Sequence, residues 1–96
     1  MLKIIVACAN GAGSSMLMAM KVREVLKSMD VRADVRHCPI SEATSTATRY
    51  DAVITAMNFL GSFKRAQEAG VKVIGIRNIL SASEIREKLL ESGLIC

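Results

Sequence analysis

Tryptophan is absent from this 96-residue chain, and Phe59, Phe63 and Tyr50 are its whole aromatic complement. A core formed with so few rings has to be aliphatic, drawn from Ile, Val, Leu, Ala and Met. Histidine is reduced to His37, and the three cysteines, Cys8, Cys38 and Cys96, show no CxxC spacing. An odd, scattered set of that kind argues against a secreted disulfide framework and for reduced thiols. With one histidine, no metal-ligand spacing is met. Long hydrophobic runs are missing as well: nothing approaches the ~18 apolar residues of a membrane span. Residues 1–9 are apolar but short, lack a basic flank and run into glycine, unlike a signal peptide. These absences together predict a cytoplasmic domain without a membrane span.

Charge is not concentrated along the chain either. Thirteen Lys and Arg against nine Asp and Glu give a net charge of +4, with no dense basic run. No recognition motif or aromatic stacking platform accompanies it, so nucleic acid is not an expected partner. A partner carrying negative charge is.

What is present is a repeated grammar in a chain long enough for one domain: a β-branched run, a turn, then an amphipathic stretch. Lys3-Ile4-Ile5-Val6-Ala7-Cys8 is continuously apolar after its first residue, as a strand buried on both faces should be. Gly11 and Gly13 interrupt it. Ser14 or Ser15 then caps a helix to about Met29, with Met18, Val22, Val25 and Met29 on one face. Residues 31–38 alternate as an edge strand does and stop at Pro39. The Ser/Thr-rich stretch 41–48 predicts a loop or a short weak helix. Residues 51–55 form a third strand and 59–69 a second helix, closed by Gly70. Residues 71–76 form the fourth strand. Ser81-Ala82-Ser83-Glu84, a capping-box pattern, opens a last helix through Leu90 to Gly93. The expected fold is α/β: a single-domain three-layer sandwich over residues 1–96. Its four-stranded parallel sheet has order 2-1-3-4, with helices on both faces.

Such sheets bind ligands beyond the carboxyl ends of their strands, where the strand order reverses. That point falls beside strand one and delivers Cys8, followed by Ala9, Asn10, Gly11, Ala12, Gly13, Ser14 and Ser15. The two glycines let backbone N–H groups turn inward as an anion nest, and the next helix aims its N-terminus there. Both effects lower a thiol's pKa from its free value of ~8.5 and cradle an oxyanion on the sulfur. A buried structural cysteine in a tight turn is the plainer reading, and the convergence of these features weighs against it. A dinucleotide fingerprint fails because Met16 stands where a small residue is required and no acid closes strand two. A Walker loop fails for want of Gly-Lys-Ser/Thr. A cysteine phosphatase would place a phosphate-clamping Arg where Ser14 stands, and an acid before a proline where Cys38 precedes Pro39. A phosphocysteine formed here would therefore resist water and wait for another acceptor.

At this loop the sequence resembles the IIB components of the bacterial phosphoenolpyruvate-dependent sugar phosphotransferase system, within the lactose, galactitol and ascorbate group. The resemblance rests on Ile4-Ile5-Val6-Ala7-Cys8, on Asn10-Gly11-Ala12-Gly13-Ser14-Ser15-Met16, and on Met20-Lys21 and Cys38. The segment Val73-Ile74-Gly75-Ile76-Arg77-Asn78-Ile79-Leu80-Ser81 and the later Lys88-Leu89-Leu90 carry it further. The loop glycines and the Gly75–Ser81 segment favour the L-ascorbate type over the galactitol type; residues 40–70 match less closely. The resemblance implies a relay in which a IIA phosphohistidine donates to Cys8, and Cys8 donates to a sugar held by a membrane IIC transporter. For the ascorbate type the product is L-ascorbate 6-phosphate. It implies no metal or organic cofactor. The rival classes are a Cys8-dependent phosphatase or reductase and a non-catalytic binding module of the same fold.

Several other residues bear on the site. Met16 and Met20 near the loop are candidates for an adaptable partner surface, as are Thr55 and Asn58 at the end of strand three. Cys38 is expected to be a structural thiol more than a redox mate of Cys8. His37 is expected to be a satisfied strand-end residue, Arg77 a docking or structural one, and Cys96 unconstrained.

Overall fold

The computed structural model describes residues 2–8, 14–78 and 81–91. Strand β1 (Leu2–Cys8) leads to helix α1 (Ser14–Ser28), then β2 (Ala33–Pro39) and α2 (Ile40–Thr46) with a 3₁₀ turn at Ala47–Arg49. Strand β3 (Ala52–Ala56) leads into a 3₁₀ helix (Met57–Phe63) that continues as α3 (Lys64–Glu68). Strand β4 (Lys72–Ile76) and helix α4 (Ala82–Glu91) complete the set. The sheet is parallel in the order β2-β1-β3-β4, as the strand patterns predict.

Alternation along β1 divides the core into two layers. Ile4 and Val6 join Met18, Val22 and Leu26 of α1 and Ile85 and Leu89 of α4 on one face. Ile5 and Ala7 join Ala43, Ala47, Phe63 and Ala66 on the other. A strand covered on both faces has no room for polar side chains, which accounts for the unbroken apolar run. At the start of the sheet Asp51 ties three strands. Its carboxylate accepts the Lys3 N–H at 2.8 Å, its N–H donates to the Lys3 carbonyl at 2.7 Å, and its carbonyl accepts the Lys72 N–H at 3.2 Å.

Of the two expectations for the Ser/Thr-rich stretch, the short helix is the one that forms. Thr44, Ser45 and Thr46 each donate a hydroxyl back to a carbonyl one turn earlier, while Ala43 and Ala47 are buried against the sheet. Small residues on that face allow close approach, and the back-bonded hydroxyls hold the chain locally. The predicted helix over 59–69 differs more. Its first half is 3₁₀, because Gly61 and Ser62 are poor α-formers and a three-residue period brings Leu60 and Phe63 to the same side. Phe63 is buried there. Leu60 lies over Gly75 so closely that a Cβ on Gly75 would stand 2.8 Å from its Cδ1.

Two helices end in the same six-residue cap. After α3, the Val71 N–H bonds the Ala66 carbonyl and the Gly70 N–H bonds that of Gln67, with Gly70 at φ +95°. After α1, the Val31 N–H bonds Leu26 and the Asp30 N–H bonds Lys27, with Asp30 at φ +57°. This is the Schellman arrangement, and its left-handed position favours glycine. The first cap is visible in the sequence as Gly70; the second is hidden behind an aspartate. It also delays β2 to Ala33, since Val31 is turned onto the core. Asp30→Gly should raise stability by about 0.5–1 kcal/mol by relieving the left-handed strain, read as a higher midpoint in urea or heat.

Candidate functional site

The chain leaves β1 through α1, which packs on one face of the sheet, and leaves β3 through the 3₁₀ segment, which packs on the other. The two exits diverge at the carboxyl end of the sheet between β1 and β3, the place where open parallel sheets bind ligands. Cys8 is the last residue of β1 and pairs with Pro39 of β2. The loop Ala9, Asn10, Gly11, Ala12 and Gly13 lies outside the described residues, as do the side chains of Cys8, Ser14, Ser15 and Asn58. Helix α1 begins at Ser14 with no acidic residue in its first turn. The partial positive charge at its start is therefore not neutralised by its own side chains and favours an anion.

Thr55 does not meet the expectation placed on it. It is completely buried and offers no surface to a partner, because it pairs with Ala7 in the interior of the sheet. Its hydroxyl donates to the Ala7 carbonyl at 2.9 Å. That carbonyl belongs to the peptide unit joining Ala7 to Cys8, so Thr55 holds in place the backbone that carries the cysteine. The sequence shows only a threonine at a strand end; its partner is set by register.

Met16 and Met20 are about half exposed, and Leu17 between them equally so. Three of the four large hydrophobic residues exposed among those described thus lie on the first two turns of α1. Cys38 stands opposite Ala7 and packs against the second core layer. Burial, with a smaller push from the Glu42 carboxylate, raises its thiol above the ordinary value. A thiol raised in this way is less often the reactive thiolate. His37 is exposed beside Val6, in a groove with Arg23 and Arg36. Arg77 is exposed just beyond β4, on the far edge of the sheet. Among the described residues no three His, Cys, Asp or Glu side chains come together as a metal site would require.

The loop after β4 is anchored by a carboxylate. The Glu84 N–H donates to the Ser81 hydroxyl at 3.3 Å, which is one arm of the expected capping box. The other arm reaches further back: the Glu84 carboxylate accepts the Arg77 N–H at 2.7 Å and the Asn78 N–H at 2.9 Å. These two bonds hold its carboxyl below the usual range, helped by Lys88 and Arg77.

A family model described as "PTS system, Lactose/Cellobiose specific IIB subunit" matches residues 3–91. The chain belongs to this family. As a IIB component it is a phosphotransferase subunit of sugar transport, working with IIA and IIC partners. Two curated relatives, the ascorbate-specific PTS system EIIB components of Salmonella typhimurium and Shigella flexneri, are 34% identical over 89 residues. Each match covers 93% of this chain and 86% of the relative. A solved structure, the lactose-specific IIB component domain from Streptococcus pneumoniae, has a TM-score of 0.73 and 23% identity. That similarity covers 95% of this chain and 96% of the other, and shows the fold.

Two outcomes test the supports of this IIB site. Thr55→Val keeps the shape and removes the donor; it should lower unfolding stability by about 1 kcal/mol, read from urea melts. Glu84, with its folded-state pKa depressed, stabilises the fold above its unfolded value, and that contribution is lost as pH falls through the folded value. Glu84→Gln should therefore melt below the wild type at neutral pH, with the gap closing in acid.

Proposed function

We propose that Cys8 is the phosphoryl acceptor of this IIB component, and that residues 1–96 act as one cytoplasmic domain around it. The thiolate attacks the phosphorus of a phosphohistidine on the IIA partner. The S–P bond forms as the P–N bond breaks, and the histidine nitrogen keeps the bonding pair. A sugar hydroxyl held by the membrane IIC transporter then attacks the same phosphorus. Its oxygen takes the phosphoryl group, its proton leaves to a base, and the thiolate is regenerated. Positioning and fixed donors suffice for such transfers. Ala9, Asn10, Gly11, Ala12, Gly13, Ser14 and Ser15 are the proposed cradle for the phosphoryl oxygens.

The observation that carries the reading is the place of Cys8, at the end of an interior strand where the strand order reverses, ahead of a helix start free of acidic side chains. The exposed Met16, Leu17 and Met20 on that helix, with Asn58, form the proposed docking face for protein partners. L-ascorbate is the proposed sugar, since the ascorbate-specific relatives at 34% identity are similar along 93% of the chain. Among the described residues no helix is long and apolar enough to cross a membrane, so the sugar is assigned to the transporter and the phosphoryl group to this chain.

Incubation with phosphoenolpyruvate, the general phosphotransferase proteins and the cognate IIA should add one phosphoryl group by intact mass. The adduct should persist in buffer and be absent from Cys8→Ala. Labelling that survives in Cys8→Ala, or rapid turnover of an aryl phosphate by the isolated chain, would remove the proposal.

A further inference from the structure

The cations that are scattered along the sequence are gathered in space. Three open grooves follow one another around the free edge of β2. The first, of about 390 Å³, runs between the second half of α1 and the start of β2, with Arg23, Lys27 and Arg32 exposed above a buried Leu26 and Val35. The second shares Arg23 and Val35 with it and adds Arg36. The third shares Asp34 and Arg36 with the second and adds Lys3 and Arg49. Shared walls make the three one continuous strip.

The strip holds six of the chain's thirteen cations and, with Asp30 and Asp34, two of its nine carboxylates. The Asp51 carboxylate, on the Lys3 N–H at 2.8 Å, borders the strip and makes three acids against six cations, so an excess of three positive charges out of the chain's net +4 lies on this edge. Arg36 is paired with Asp34 at 3.3 Å, and Arg23 donates to the Val35 carbonyl at 2.6 Å. Among the described residues Lys27, Arg32 and Arg49 make no ion pair.

The chemistry of the occupant follows from what the strip has and lacks. The cations extend from the side of α1 to the start of β1, too widely for one small anion. A second copy of the same edge would be repelled. Protein interfaces have an apolar centre. The apolar lining here is mainly in the first groove, where Leu26 and Val35 are buried and Val31 and Ala33 half-buried. None of the large hydrophobic residues exposed among those described (Met16, Leu17, Met20, Leu90) lies on the strip. A broad, flat array of negative charge needs only exposed cations on long side chains. We infer that this edge rests on the anionic phospholipid headgroups of a membrane, holding the IIB component at the bilayer. The relay reading enters only in supplying a reason for a bilayer to be near. The strip follows the β2 edge and the amino ends of the strands, so a bilayer bound there leaves the carboxyl end of β1 open to protein partners.

The test is co-sedimentation of the full chain with phosphatidylcholine vesicles, with or without about one third phosphatidylglycerol. Binding is expected to the anionic vesicles only, and to be lost in about half-molar salt. The triple variant Lys27→Gln, Arg32→Gln, Arg49→Gln should bind roughly a hundredfold more weakly. A charge-matched control on the opposite edge of the sheet, Lys64→Gln, Arg65→Gln, Arg77→Gln, should bind within a few fold of the wild type, and thermal melts confirm that both triples fold. Equal binding to neutral vesicles, no binding to either, or equal weakening of both triples overturns the inference. So does a strip variant that keeps its vesicle affinity but takes phosphate from IIA more slowly in lipid-free solution, which would assign the edge to an acidic protein. Loss of vesicle binding with Cys8 labelling intact defeats the lipid inference alone, and vesicle binding without Cys8 labelling defeats the relay alone.

Discussion

Parallel strands cannot be joined by tight turns, and each crossover must lie on one face of the sheet or the other. In this domain the constraint does the organising. With β1 in the interior of the sheet, the first crossover covers one face and the later ones, up to β4, cover the other. They diverge at the end of β1, and a residue there is held by a strand buried on both sides. Thr55 adds a bolt from the neighbouring strand, through a carbonyl one residue before Cys8. Rigid backbone is what phosphoryl chemistry needs from whichever residue carries the group, because the geometry has to be in place before the partner arrives.

Cys8 and Cys38 show how little a residue type says by itself. They sit on adjacent strands, one register step apart. Cys38 is packed toward aliphatic side chains with a carboxylate nearby, and both effects oppose ionisation. Cys8 ends the strand that precedes α1, and the first turn of α1 has no acidic residue to offset the helix start's preference for negative charge.

The molecule also separates its surfaces by chemistry. Exposed methionines and a leucine mark the first turns of α1 with adaptable apolar surface. Cations mark the β2 edge. Arg23, bonded to the Val35 carbonyl, and the charges beside it also guard an open strand edge against pairing with other chains.

Much of this domain is determined by the sequence alone, through interactions of short range. Apolar runs of period two and faces of period 3.6 name the strands and helices, Pro39 and Gly70 punctuate them, and the loop after Cys8 marks the site. Where local signals are ambiguous, sequence pattern and structure part for local reasons too. Asp30 holds a turn that glycine usually holds, and Gly61 diverts a helix into 3₁₀ form. Folding alone decided the rest. The Thr55 hydroxyl meets a carbonyl 48 positions away, Glu84 caps the loop before its own helix, and cations dispersed over the chain meet along one edge. Hydrogen bonds and electrostatic fields depend on distance in space, and register, which sets that distance, comes from packing the whole core at once.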